Sequence, residues 1–159
     1  MSRPAIKKII SGGQSGADQA ALDAAIAKGC PYGGWLPKGR KTENGPLPLR
    51  YIMSEMGSGD YRKRTEKNVL DSDGTLIVSH GELTGGSLLT RIFAGKHKRP
   101  CLHIDCLSGS DERRLAEVLE WLRENRVEVL NVAGPRRSGD PVIYQAVREL
   151  IEEVLSPSS

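Results

Sequence analysis

The chain has few cysteines and no long hydrophobic segment. Its three cysteines, Cys30, Cys101 and Cys106, cannot all pair within one chain and match no zinc-ribbon or CxxC spacing, so we expect reduced thiols in a cytoplasmic protein. No apolar run approaches the ~20 residues of a membrane-spanning helix, and no apolar stretch of signal-peptide length follows the basic segment 1–8. The sequence therefore indicates neither a membrane partner nor export.

A strong charge excess is also lacking. The chain has 23 Lys and Arg against 20 Asp and Glu, and a net charge of +3 is too small to indicate a nucleic-acid partner. Its length of 159 residues suits a single domain. We expect one domain over residues 1–159, with frayed ends at 1–5 and 156–159.

Short apolar runs alternate with helical patterns along the whole chain. This alternation predicts an α/β fold, a doubly wound and mainly parallel sheet with helices on both faces. The common strand order 3-2-1-4-5-6 would place the ligand crevice between the first and fourth strands. The predicted strands are 6–10, 34–36, 51–53, 75–79, 101–104 and 127–132, and the predicted helices are 17–28, 60–70, one after Gly85-Gly86, one capped by Ser110, and 142–154.

Two glycine-rich turns follow the first and fourth predicted strands, at SGGQSGAD (11–18) and TGGSLLT (84–90). Glycine permits positive φ and leaves no Cβ between the backbone amides and an anion. The start of each following helix adds free N–H groups and a favourable dipole. We therefore predict a phosphate-binding site at these turns, although a glycine pair after a strand is often only a turn.

Polar side chains near the same sheet edge complete the predicted site. The loop 131–141 after the last strand contributes some of them, and the loop after the second strand contributes others. Arg136 is equally well explained as a phosphate clamp or as a solvated residue of a basic turn, and the same two interpretations apply to Lys38 and Arg40. The predicted ligand-binding residues are Gly12, Gly13, Gln14, Ser15, Gly16, Asp18, Lys38, Arg40, Thr84, Gly85, Gly86, Ser87, Asn131, Gly134, Arg136 and Ser138.

Several familiar motifs are missing. The first turn has the pattern G-G-x-x-G, not G-x-G-x-x-G, and neither turn continues into Gly-Lys-Ser/Thr, so NAD binding and ATP hydrolysis are disfavoured. Cys101, His103 and Asp105 alternate along one strand, but such residues are far more often packing and surface groups than metal ligands. We predict no catalytic set and no metal site. The expected effect of Gly13→Val or Gly86→Val is loss of ligand binding with the fold largely intact.

The sequence resembles the putative molybdenum carrier family, relatives of the molybdenum cofactor carrier proteins of algae. The matching stretches are IISGGQSGADQAALDAAI (9–26), GWLPKGRKTENGPLP (34–48), YRKRTEKNVLDSDGTLIVS (61–79), LTGGSLLT (83–90) and LNVAGPRRS (130–138). The resemblance implies a Rossmann-like fold, often a homo-oligomer, and distant kinship with the lysine-decarboxylase-like phosphoribohydrolases and with nucleotide-sensing domains.

The resemblance implies a carrier that holds molybdenum cofactor (molybdopterin), a pterin with a terminal phosphate and an oxo-metal dithiolene end. Two alternatives stay open: a hydrolase that cleaves nucleoside monophosphates, and a nucleotide sensor. The phosphoribohydrolases have a P-G-G-x-G-T turn with a nearby glutamate. Here Leu88 stands at the place of the third glycine and no glutamate follows Gly86, so the sequence favours a non-catalytic carrier.

Overall fold

The computed structural model describes residues 3–157, which form an α/β fold. Of the predicted frayed ends, residues 1, 2, 158 and 159 lie outside the described residues. The elements in chain order are β1 (Lys8–Ile10), α1 (Ala17–Ala27), β2 (Tyr32–Gly33), β3 (Trp35–Leu36), β4 (Lys41–Thr42), β5 (Gly45–Pro46), β6 (Ser54–Glu55), α2 (Tyr61–Leu70), β7 (Gly74–Ser79), α3 (Gly85–Lys96), β8 (Cys101–Asp105), α4 (Asp111–Glu124), β9 (Val129–Ala133) and α5 (Ile143–Leu155).

The central sheet has five parallel strands in the order β2-β1-β9-β7-β8. The last strand in the chain therefore lies in the middle, where Leu130 pairs with Ile9 on one side and with Gly74 on the other. The predicted placement of the crevice between β1 and β7 is wrong, because β9 separates them. If β9 is counted first, the order becomes 3-2-1-4-5, and the point where the strand order reverses lies between β9 and β7.

The second and third predicted strands do not join the central sheet. The observed strand β3 lies within the predicted range 34–36, and β6 begins just after the predicted range 51–53. These two strands pair with each other in a separate two-stranded sheet, and β2 forms the edge of the central sheet instead. The predicted long loop 37–49 contains an antiparallel hairpin, β4–β5. Elements of two residues are too short to give an apolar periodicity.

The five predicted helices are confirmed to within two residues wherever both ends were predicted. Asp60 caps α2 by accepting from the Arg62 amide at 2.8 Å, and Ser110 caps α4 by accepting from the Arg113 amide at 3.2 Å. A side-chain cap supplies an acceptor that the first turn of a helix otherwise lacks. These local hydrogen bonds explain why the starts of both helices could be read from sequence.

The helices cover the two faces of the sheet. One core cluster contains residues of α1, α4 and α5 together with Leu76 and Val78 of β7, while a second contains Val69 of α2 and Phe93 of α3. Strand residues alternate between faces, so Thr75 and Ile77 face α2 and α3. The arrangement is the Rossmann-like, doubly wound fold that was predicted. Within residues 3–157, no helix is both long and apolar enough to cross a bilayer.

Candidate functional site

The turn after β7 leaves the start of α3 open. The Thr84 side chain makes no capping hydrogen bond, and the amide of Leu88 is the first to donate back, to the Thr84 carbonyl at 3.3 Å. Within the described part of the chain, the amides of Gly85, Gly86 and Ser87 have no acceptor. A Cβ on Gly85 or Gly86 would meet no heavy atom within 4 Å, so an anion could approach these amides.

The amides of the turn after β1 are already hydrogen-bonded. The Gly13 amide donates to Ser11 Oγ at 3.3 Å, the Gln14 amide to Asp18 Oδ2 at 3.2 Å, and the Ser15 amide to Gln14 Oε1 at 3.1 Å. Side chains of the turn and of α1 therefore satisfy these three donors. Of the two glycine turns, only the one after β7 leaves a run of adjacent amides available.

The glycines of the first turn are needed by the packing of the protein itself. A Cβ on Gly12 would overlap the Arg64 guanidinium, and one on Gly13 would overlap Cδ2 of Leu36. A Cβ on Gly16 would lie 2.6 Å from the Pro135 carbonyl oxygen. The expectation that Gly13→Val would spare the fold is therefore wrong, because Gly13 also has a φ of +71°. At Gly86, by contrast, an added Cβ would lie in open space.

Asp18 and Arg64 are two buried groups of opposite charge beside the first turn. They are 8% and 7% exposed, and Arg64 Nη1 donates to the Gly12 carbonyl. Burial raises the pKa of Asp18 to about 6, although Arg64, the Gln14 amide and Arg136 act in the opposite direction. Asp18 therefore holds the turn by accepting a hydrogen bond from the Gln14 amide, and the positive charges of Arg64 and Arg136 favour its ionised form.

Three cations surround the ring of Tyr61, the first residue of α2. Lys41 Nζ lies 4.6 Å from the ring centroid, and the guanidinium carbons of Arg64 and Arg136 lie at 5.3 Å and 5.9 Å. We call Lys41, Arg64 and Arg136 the basic cluster. Arg136, in the loop after β9, is exposed. The structure thus brings one predicted ligand residue next to two cations that the prediction did not include.

A small cavity lies between the first turn, α3 and β9. Its volume is about 20 Å³, and its lining includes Gly12, Arg64, Thr90 and Asn131; this is space for about one water molecule. Thr90, which lines the cavity, donates through Oγ1 to the Gly86 carbonyl one turn earlier in α3, at 2.8 Å. Arg64 Nε has no partner among the described residues. A buried cationic donor without an acceptor is unusual.

The other predicted residues are held mainly by the protein. Arg40 donates to the carbonyls of Leu47 and Pro48 at 3.0 Å and of Tyr51 at 2.6 Å. Asn131 donates to Thr75 Oγ1 at 3.2 Å, and a Cβ on Gly134 would overlap the Val78 carbonyl. Lys38 is exposed. These residues lie around the carboxyl edge, but Arg40 has little capacity left for a ligand.

Known proteins with the same architecture identify the family. The profile of the circularly permutated YpsA SLOG family matches residues 9–155. This chain belongs to that family. The permutation agrees with the central position of β9, the last strand in the chain.

One solved structure is similar to this chain over almost all of its length. It is the crystal structure of a putative molybdenum carrier protein from Syntrophus aciditrophicus SB, with 57% sequence identity and a TM-score of 0.95. The match covers 97% of this chain and 98% of the other. No curated protein matches the chain. Family membership and this likeness confirm the resemblance on which the sequence interpretation depended.

The side chains considered as metal ligands in this SLOG chain have other partners. His103 Nε2 is 2.7 Å from Ser79 Oγ, and Asp105 Oδ1 accepts from the amides of Gly81 and Leu107. Burial raises the pKa of the Cys101 thiol, which favours its protonated form. Within residues 3–157, no group of three or more potential ligands is placed to hold a metal ion.

A larger groove lies away from both glycine turns, between α4 and α5. It has a volume of about 580 Å³ and is lined by five acidic residues and by His80, Lys28 and Arg114 among others. Its charge disfavours a phosphorylated ligand. For a phosphorylated ligand, the charge of the lining residues therefore favours the carboxyl edge between β9 and β7 as the candidate site, although the cavity there is smaller. The acidic lining residues are Asp111, Glu112, Glu149, Glu152 and Glu153.

Sequence reasoning did not include Lys41, Glu43, Tyr61 or Arg64 in the candidate site. Glu43 lies at the tip of the β4–β5 hairpin and accepts from Ser15 Oγ and from Ser138 Oγ. The only available signal was Asn44-Gly45, a pair typical of hairpin turns. This pair could have placed Glu43 at the tip of a hairpin. It could not have predicted the contact of Glu43 with Ser15, which lies 28 residues earlier in the turn after β1.

Proposed function

We propose that the protein binds and carries a small phosphate-bearing ligand at the crevice between the loops after β7 and β9. The proposed ligand is molybdenum cofactor, or a similar phosphorylated pterin or nucleotide. The similar structure from Syntrophus aciditrophicus is a putative molybdenum carrier protein, and this name supports a molybdenum-related ligand here.

The open start of α3 is the proposed contact for the phosphate. The free amides of Gly85, Gly86 and Ser87 can donate to phosphate oxygens, and the helix dipole contributes about 0.3–1 kcal/mol when the anion is close. Thr84 and Ser87 add hydroxyl groups beside them. Since a Cβ on either glycine would lie in open space, nothing in the described chain blocks this approach.

The basic cluster is the proposed contact for a second anionic part of the ligand. Arg136 is exposed and lies over Tyr61, and an arginine can hold an oxyanion through two parallel hydrogen bonds. In molybdenum cofactor the oxo-metal end would supply this second negative charge. The other predicted contacts, at Gln14, Ser15, Asn131 and Ser138, remain part of the proposal.

One observation carries the proposal more than any other. Arg64 is buried and lines the small cavity beside the first turn, and its Nε has no partner among residues 3–157. Leaving a charged donor buried without an acceptor costs free energy. A water molecule in the cavity, itself hydrogen-bonded to a bound anion, would satisfy it.

The proposal includes a cytoplasmic location and a homo-oligomeric state. The three thiols are free, as expected in a reducing compartment. The family resemblance is what suggests the homo-oligomer, and sedimentation analysis of the purified protein tests it.

Thermal unfolding with candidate ligands tests the binding itself. Purified protein is incubated separately with molybdenum cofactor, AMP, ADP-ribose and molybdate. A ligand at 100 times its Kd stabilises the folded state by about 2.7 kcal/mol, which corresponds to about 5–10 °C in Tm for a chain of this size. If no phosphorylated ligand shifts Tm, the proposal is wrong. Release of free base from AMP would indicate a hydrolase instead.

Gly86→Val tests the location of the phosphate. A Cβ at this position meets no heavy atom of another part of the protein within 4 Å, and valine adds bulk beside the open amides. We therefore expect affinity to fall at least about tenfold, equivalent to about 1.4 kcal/mol. Gly95→Val is the matched control, since it makes the same change near the other end of α3, also in open space. Equal affinity in both variants would show that the turn after β7 does not bind the ligand.

A further inference from the structure

Glu43 is held at its carboxylate by three donors. They are the hydroxyl of Ser15, the hydroxyl of Ser138, and the Ser138 amide at 3.2 Å. The backbone amide of Glu43 also donates to Gln14 Oε1 at 2.8 Å. The tip of the β4–β5 hairpin is therefore attached both to the turn after β1 and to the loop after β9.

The donors around this carboxylate are among those predicted for the ligand anion. Carboxylate and phosphate oxygens accept the same kind of charge-assisted hydrogen bond. The hydrogen bonds from Ser138 and Ser15, in that order, lower the pKa of Glu43, and Arg136 acts in the same direction. Glu43 is therefore an anion at neutral pH, held within the protein where a ligand anion is expected.

We propose that Glu43 is an internal competitor: its carboxylate occupies an oxyanion subsite formed by Ser15 and Ser138, beside Arg136, and leaves when the second anionic part of the ligand binds there. The inference rests on the proposed function and adds a regulation to it. The ligand class is a tetrahedral oxyanion, either a phosphate ester or free molybdate.

An unpaired donor beside Glu43 favours a larger anion. Gln14 is 6% exposed, and its Nε2 has no partner in the described chain, while its Oε1 accepts from the amides of Ser15 and Glu43. A carboxylate has two oxygens, whereas phosphate and molybdate offer more acceptors. A tetrahedral oxyanion could thus satisfy a donor that Glu43 leaves unpaired.

The hairpin is built so that its tip can move as a unit. Only two residue pairs join β4 to β5, and a two-stranded hairpin of this size has little stability of its own. The turn is closed locally, since Thr42 Oγ1 donates to the Gly45 carbonyl at 2.5 Å and accepts from the Asn44 amide at 3.1 Å. The base is fixed by the Leu47 amide, which donates to the Arg40 carbonyl at 2.8 Å.

The test compares Glu43→Gln with Glu55→Gln by isothermal titration with inorganic phosphate, AMP and molybdate. Glu55 is exposed on β6 and accepts from the Gly39 amide at 3.3 Å, so its variant removes the same charge without touching Ser15 or Ser138. If the subsite is open in about a tenth of the free molecules, removing the competitor tightens binding about tenfold. We expect this gain in Glu43→Gln and none in Glu55→Gln.

The outcomes separate this inference from the proposed function. Equal or weaker binding by Glu43→Gln, with measurable binding by the wild type, would overturn the competitor role and leave the carrier function in place. Absence of binding by the wild type and both variants would reject both. Tighter binding of phosphate and AMP would identify a phosphate ester as the natural oxyanion, and tighter binding of molybdate would identify free molybdate.

Hydrogen exchange of the wild-type protein gives a readout that needs no variant. Displacement breaks the hydrogen bond from the Glu43 amide to Gln14. Saturation with the anion that shows the gain in the titration should therefore make the peptide containing residues 41–46 exchange faster. Slower exchange of this peptide in the complex would mean that the hairpin closes over the ligand, and the inference would be wrong.

Discussion

Replacing Asp18 by Asn should stabilise the protein at neutral pH. The Asp18 carboxylate is 8% exposed, and burial raises its pKa from 3.8 to about 6. The charged form is therefore less favourable in the folded protein than in the unfolded chain. One pKa unit corresponds to 1.36 kcal/mol, so the ionised carboxylate costs the folded state about 3 kcal/mol at pH 7.

The sign of the pH dependence follows from the raised pKa. Between pH 4 and pH 6 the folded protein binds more protons at Asp18 than the unfolded chain does, so the contribution of this group to the free energy of unfolding falls as pH rises. Asparagine does not titrate and can still accept from the Gln14 amide. We expect Asp18→Asn to be up to about 3 kcal/mol more stable than the wild type at pH 7, and the difference to vanish below pH 4.

Urea unfolding at pH 4, 5, 6 and 7, followed by tryptophan fluorescence, measures this difference. Other carboxylates change stability with pH in both proteins, so the quantity of interest is the difference between variant and wild type. Glu117→Gln, an exposed change on α4, controls for loss of a charge. A variant less stable than the wild type at pH 7, with an unchanged slope, would show that attraction to Arg64 outweighs burial and would refute the reasoning.

Two further predictions concern residues that support the site, and urea unfolding checks each of them. Gly13→Ala should lower the free energy of unfolding by about 3 kcal/mol or more, because Gly13 has a positive φ and the added Cβ overlaps Leu36. The control Gly29→Ala has a similar φ but open space, and should cost about 1–2 kcal/mol. Equal losses in the two variants would contradict the packing argument. Arg40→Met should lower the free energy of unfolding by about 2–3 kcal/mol, because it removes three hydrogen bonds to carbonyls. The control Lys38→Met, at an exposed residue, should change it little. Equally small losses in both variants would mean that Arg40 is free for a ligand.

Locally encoded features were predictable from the sequence. The caps at Asp60 and Ser110 depend on side chains within three residues of the amides that they bind. The continuous apolar strand 75–79 is buried throughout as β7. These features need no knowledge of the rest of the chain, and the structure confirms them.

Features that depend on distant partners were not predictable in the same way. The sequence of β9 has the same apolar character whether the strand lies at an edge or in the centre, so its place between β1 and β7 could not be read from it. Arg64 looks like a solvated cation on a polar helix. It is buried because Gly12, 52 residues earlier, leaves space for its guanidinium.

The two glycine turns differ in a way that favours one location for the anion. The first turn has three amides satisfied from within and glycines required for packing, whereas the turn after β7 has free amides and glycines that pack against nothing. The strand order independently places the switch point between β9 and β7. Since hydrogen bonding and topology are separate observations, their agreement favours the crevice after β7 and β9 over a site centred on the first turn. The first turn then acts mainly as the support that holds Ser15, Arg64 and Glu43 around that crevice.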